Sequence, residues 1–127
     1  MVGTAVGAPF TRVFVSYAHE DAVIVELLER TYELVRIEYL RDVSVLRAGD
    51  RWSARILEQI DNADRFQLCW SAAARQSRYV EQEWRHALAI RGTNEDAFIC
   101  PFYWQKPMPP APPELVDLHF AYLQLET

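Results

Sequence analysis

Phe66-Gln67-Leu68-Cys69-Trp70-Ser71, followed after a short loop by Ser77-Arg78-Tyr79-Val80-Glu81-Gln82-Glu83-Trp84, is the stretch on which the reading of this chain turns. The first part is an apolar run of strand length. The second opens on a serine suited to capping a helix and carries apolar residues at helical spacing. A strand, a loop and a capped helix are the parts from which open α/β folds build ligand sites, outside the carboxyl ends of their strands. Tyr79 and Glu83 are four residues apart and share one face of the helix. A ring able to stack on a flat heterocycle therefore stands beside a carboxylate able to hold sugar hydroxyls.

Outward from this stretch the same alternation continues. Residues 12–16 are short, β-branched and bounded by turn formers, a buried first strand. From Asp21 the period becomes helical, with Ile24, Leu27, Leu28, Thr31, Leu34 and Val35 on one face. Residues 37–40 form a second, weaker strand, and a polar loop covers residues 41–50. Asp50 is placed to cap a helix whose apolar positions are Trp52, Ile56, Leu57 and Ile60. Residues 65–70 are the third strand, and Val80, Trp84, Ala87 and Leu88 turn the Ser77 helix inward. Residues 97–102 read as a fourth strand, with Pro101 marking where pairing stops. A proline-dense loop over residues 107–113 leads to a fifth strand at residues 120–125. The fold expected is α/β, a flavodoxin-like five-stranded parallel sheet in the order 2-1-3-4-5 with helices on both faces. Strands one and three meet at its switch point, so the site is expected between the loop after Ser16, the loop after Trp70 and the start of the Ser77 helix.

The bulk properties narrow the function. A chain of 127 residues makes one domain. Residues 1–10 are expected to be a disordered lead-in, with no basic segment of a signal peptide, and residues 11–127 the domain. The net charge of −5 and the absence of a basic cluster argue against nucleic acid. No apolar run nears the roughly 20 residues of a membrane span. Cys69 and Cys100 lie in separate apolar runs, as reduced core thiols of a cytoplasmic protein do. His19, His86 and His119 lack metal-ligand spacing, so no metal is assigned. Neither Ser16 nor Cys69 has a histidine base placed beside it by the sequence, so neither is read as a nucleophile.

Several pieces, weak singly, carry a resemblance by their order and spacing. They are Val13-Phe14-Val15-Ser16-Tyr17 with Glu20-Asp21, then Leu40-Arg41-Asp42-Val43 and Leu46-Arg47-Ala48-Gly49-Asp50. Ala63-Asp64 leads into Cys69-Trp70-Ser71, and Ser77-x-Tyr79-Val80-x-x-Glu83 follows. Pro112-Pro113-Glu114-Leu115 and His119-Phe120 complete the set. Over about residues 11 to 125 the chain resembles a Toll/interleukin-1 receptor (TIR) domain of the kind common in bacterial defence proteins.

The resemblance implies an enzyme that cleaves NAD⁺ between ribose and nicotinamide, a hydrolase or cyclase serving anti-phage defence or immune signalling. NAD⁺ is then a substrate, with no separate cofactor. Glu83 is the implied catalytic glutamate, and Tyr79 stands where tryptophan is commoner in the family, keeping a ring for stacking. Ser16, Tyr17, Ala18 and Ser71, at the ends of strands one and three, are the expected substrate contacts. Arg41, Asp42, Arg47, Gly49 and Asp50 fall in the loop that, in this family, mediates contacts between TIR domains. Partners implied are other TIR domains and a separate sensor or activating protein, unless the chain is a piece of a longer one. The other reading is a non-catalytic TIR–TIR interaction module, which has no need of the aromatic-x-x-x-glutamate register. A phospho-acceptor receiver needs acidic residues where this chain has Ser16-Tyr17 and Trp70-Ser71, so that reading falls.

Overall fold

Along the first strand, alternate residues point to opposite faces of the sheet, and both sets are apolar. Val13 and Val15 face one way, Phe14 and Ser16 the other, and all four are buried. A strand buried on both faces belongs in a parallel sheet covered on both sides. The computed structural model describes residues 12–35, 38–40, 54–92 and 98–125. Its strands are β1 (Arg12–Ser16), β2 (Glu38–Leu40), β3 (Arg65–Trp70), β4 (Ile99–Tyr103) and β5 (Ala121–Tyr122). All pair in parallel, in the order β2-β1-β3-β4-β5 that the sequence predicts. The helices are α1 (Ala22–Leu34), α2 (Ala54–Asp61), α3 (Ala72–Gln76) and α4 (Arg78–Arg91). Short 3₁₀ turns lie at His19–Asp21 and Pro113–Leu115.

Two apolar layers result. One face of the sheet carries Phe14, Phe66, Leu68 and Trp70, covered by Ile56 and Ile60 of α2 and by Val80, Trp84 and Ala87 of α4. Phe14 and Phe66, paired in register across β1 and β3, stack with centroids 5.6 Å apart. The opposite face carries Val13, Val15, Cys69 and Phe102, packed against Val25, Ile24, Leu28 and Tyr32 of α1. The helical period of α1 therefore runs in a different phase from the one predicted. Leu27, Leu34 and Val35 face outward, and Leu34 is 84% exposed. Val25 takes the buried position, because α1 meets the sheet along one narrow stripe and a 3.6-residue period admits more than one apolar stripe here.

Three further departures have local causes. Residues 72–76, expected as loop, form α3, because Ser71 caps a run of three alanines and accepts from the Ala74 amide at 3.0 Å. Pro101 does not end the pairing of β4, which continues beside β3 through Phe102 and Tyr103. The Phe66 amide donates to the Phe98 carbonyl. With main-chain groups alternating in direction, Cys100 and Phe102 also face β3, and Pro101 faces the other side. Pairing with β5 begins only at Phe102, so the missing N–H of Pro101 sacrifices no ladder bond. The fifth strand is shorter than expected, two residues, prolonged by the Leu123 amide donating to the Tyr103 carbonyl at 2.8 Å. At the end of α4, Gly92 takes φ +68°, a conformation that suits glycine, while its amide closes on the Leu88 carbonyl. The expected lead-in at residues 1–10, the loop at residues 41–50, the Asp50 cap and Trp52 lie outside the described residues.

Candidate active site at the carboxyl end of the sheet

Ser16 is the last residue of β1 and shares the face of Phe14, which is the face that α4 covers. Ser77 caps α4, its hydroxyl accepting from the Val80 amide at 3.2 Å. That start point turns Val80, Trp84 and Ala87 into the core and leaves Glu83 on the border of the buried stripe, level with the strand end. The consequence is a direct bond across 67 positions of sequence. The Ser16 hydroxyl donates to Glu83 Oε1 at 2.7 Å. Ser16 is fully buried and Glu83 only partly so, which holds the carboxylate at the surface on an interior donor. Tyr79, one turn earlier, is 58% exposed, its ring available to a ligand rather than packed in the core.

The remaining predicted contacts do not all converge. Ala18 is buried in the same apolar layer as α4, whereas Tyr17 packs against the layer on the α1 side. Ser71, with Gln67 and Cys69, also points to the α1 side, opposite Ser16. There its hydroxyl donates to Asp21 Oδ2 at 2.5 Å while accepting from the Ala74 amide. Burial raises the Asp21 carboxyl above its ordinary value, the Ser71 bond opposes that rise, and Glu20 adds to it. Asp21 was legible in the sequence only as part of a motif; nothing there connected it to Ser71, 50 residues on. The loop residues Arg41, Asp42, Arg47, Gly49 and Asp50 lie outside the described residues.

Around the site, Glu81 points away from Glu83 and pairs with Arg85 at 2.8 Å, and Arg85 also meets Glu114 at 2.8 Å. His86 meets Asp61 at 2.7 Å, joining α4 to α2. Burial pushes the Cys69 thiol well above its ordinary value, the opposite of what an activated nucleophile needs. Tyr32, pushed up to about 12 chiefly by burial, stays a phenol and donates to Gln67 Oε1 at 3.1 Å. Among the described residues no three His, Cys, Asp or Glu side chains gather as a metal site, and no helix is long and apolar enough to cross a membrane.

The sequence profile of the TIR domain matches residues 13–126. This chain belongs to the TIR domain family. Solved structures agree on the fold of this TIR domain. The TIR domain of the Toll-related receptor TRR-2 from Hydra magnipapillata superposes with a TM-score of 0.70 at 17% identity, over 87% of this chain and 82% of that one. The TIR domains of the activated Roq1 resistosome, which directly recognises the pathogen effector XopQ, superpose with a TM-score of 0.61 at 22% identity. That match spans 75% of this chain and 58% of that one. No curated protein matches the sequence.

Proposed function

We propose that this TIR domain is an NAD⁺ glycohydrolase or cyclase, with Glu83 as its catalytic carboxylate and NAD⁺ as substrate. The observation that carries this reading is the Ser16–Glu83 bond: a carboxylate held by an interior hydroxyl at the sheet's carboxyl end, one turn from an exposed aromatic ring. Positioned carboxylates of this kind act by stabilising charge that develops in the transition state. The nicotinamide of NAD⁺ is a pyridinium, so the C–N bond breaks with its electron pair leaving on neutral nicotinamide. No acid is needed for the leaving group, unlike the paired carboxylates of ordinary glycosidases. One glutamate suffices to hold the ribose hydroxyls and to offset the oxocarbenium charge. Water then adds at the anomeric carbon and gives up a proton, yielding ADP-ribose; attack by the adenine yields a cyclic product. Tyr79 supplies a stacking face, and Ser16 steadies Glu83.

Activity on this reading requires self-association, with residues 41–50, the segment that the family resemblance assigns to contacts between TIR domains, taking part in it. A cytoplasmic role in anti-phage defence or immune signalling, triggered through a separate sensor or activating protein, is part of the same proposal. The second reading, a TIR–TIR interaction module, has an observation in its favour: Val23, Leu27, Leu34 and Val35 expose apolar surface at α1 and its end.

One experiment separates the two. Concentrated protein is incubated with NAD⁺ and the products are resolved by chromatography. Glu83→Gln should abolish turnover, while Glu81→Gln, which loses only an exposed pair with Arg85, should retain it. A folded Glu83→Gln protein turning over at the wild-type rate refutes the catalytic assignment.

A further inference from the structure

We propose that Asp21 is a positioning residue for the NAD⁺ site described above, acting through Ser71 on the segment that starts α4; this rests on the glycohydrolase reading. Asp21 closes the 3₁₀ turn after β1, its amide donating to the Ala18 carbonyl at 2.8 Å. Its side chain then crosses to the end of β3 and accepts the Ser71 hydroxyl at 2.5 Å. The two strand ends that border the site are thereby joined on the face of the sheet opposite Glu83.

The consequence runs forward along the chain. A serine hydroxyl has one proton and rotates freely until an acceptor orients it. With that proton directed at Asp21, a lone pair is left for the Ala74 amide, which donates to it at 3.0 Å. The Arg75 amide donates to the Ser71 carbonyl at 2.9 Å, and the Ser77 amide to the Ala74 carbonyl at 3.1 Å. Ser77 in turn caps α4 at Val80, and α4 carries Tyr79 and Glu83. A helix of five residues has little stability of its own, so α3 depends on how its ends are held. Asp21 holds the first end through Ser71, and the second end sets where α4 begins.

A purely stabilising role fits Asp21 poorly. Burial disfavours its charge, and Glu20 beside it adds to that penalty, with the bond from Ser71 opposing both. The Cys69 thiol on the same face is uncharged, because its burial keeps it protonated. What the carboxylate gains in this place is the bond to Ser71.

The test uses Asp21→Ala and Asp21→Asn in the full chain, with two readouts. Amide hydrogen exchange by NMR reports the segment directly, and steady-state NAD⁺ turnover reports the site. In Asp21→Ala, exchange should quicken by on the order of tenfold at Ala74, Ser77 and Val80, with Leu68 and Phe102 in the sheet unchanged. In the same variant kcat/KM should fall by on the order of tenfold, since Tyr79 and Glu83 ride on the one helix whose start is disturbed. Asp21→Asn, whose carbonyl can still accept from Ser71, should restore both. Should Asp21→Ala fail to fold, Asp21→Leu keeps nearly the same shape, removes both acceptor oxygens and leaves the Ser71 cap on Ala74 in place, and it should show the same local exchange pattern. Exchange and kcat/KM at wild-type values in the alanine variant overturn the proposal, and so does exchange quickened uniformly across the sheet. A wild-type protein inert toward NAD⁺ in every association state overturns the glycohydrolase reading and this role with it, whereas the exchange pattern then shows whether the link itself exists.

Discussion

Ser16→Ala removes one hydroxyl and leaves the Glu83 charge in place, so it isolates what the 2.7 Å bond does. A hydrogen bond to a charged group contributes about 1.5–3 kcal/mol. Glu83 is only partly buried, so water replaces some of the lost donor, and the lower end, about 1.5 kcal/mol, applies. Ser16 is wholly buried, but alanine differs from it by one oxygen, so no cavity of consequence adds to that loss. If all of that energy holds the carboxylate in its reactive position, kcat/KM falls by roughly tenfold. Thermal unfolding should shift downward by roughly 5 °C in a domain of this size. The assay is steady-state NAD⁺ turnover by chromatography, beside a thermal melt followed by circular dichroism. The magnitude also distinguishes two roles for Ser16. A positioning hydroxyl gives the tenfold loss, and a hydroxyl that contacts substrate in the transition state gives a loss approaching that of Glu83→Gln. Unchanged kcat/KM in Ser16→Ala, alongside an inactive Glu83→Gln, would refute the claim that Ser16 steadies the carboxylate.

The exposed ring of Tyr79 should work by stacking: Tyr79→Phe keeps most activity, and Tyr79→Ala loses about 1 kcal/mol or more of binding, read as a rise in KM. Equal impairment of both variants would assign the role to the hydroxyl instead. Specific activity should climb with protein concentration, and strict proportionality to enzyme together with a monomer by light scattering would count against assembly-dependent turnover. Tyr32→Phe strips the donor from Gln67 Oε1 and should cost about 1 kcal/mol in a denaturant titration, with activity intact. The Asp21 carboxyl is raised in the folded state, so its contribution to stability is fully present below about its ordinary value of 3.8 and is lost as pH rises through the folded value. Asp21→Asn should therefore gain stability relative to wild type at neutral pH, and the gap should narrow in acid; a gap that widens in acid contradicts the sign.

Much of this protein is written locally. Apolar runs of strand length, helical spacing after Ser77 and turn formers between them determine β1, β3 and α4, because each rests on a few neighbouring residues, and the alternation of strands with helices along the whole chain points to the parallel order. The Ser77 cap and the Tyr79–Glu83 register were legible for the same reason, and the TIR resemblance rests on such short pieces. What the tertiary structure alone decided is which groups meet. Alternation along a strand divides Ser16 from Val15 and Ser71 from Trp70, but it does not say which helix covers which face. Only packing puts α4 over Ser16 and α1 over Ser71. That choice pairs Ser16 with Glu83 and Ser71 with Asp21, although both serines looked equivalent as strand-end hydroxyls. The phase of α1 departs from its local reading for a related reason: the spacing predicts a buried face with Leu27, Leu34 and Val35, whereas the sheet buries the stripe containing Val25. Contacts between residues 50 or 67 positions apart are set by the volume and shape of the layers between them, and no local pattern in the chain records that.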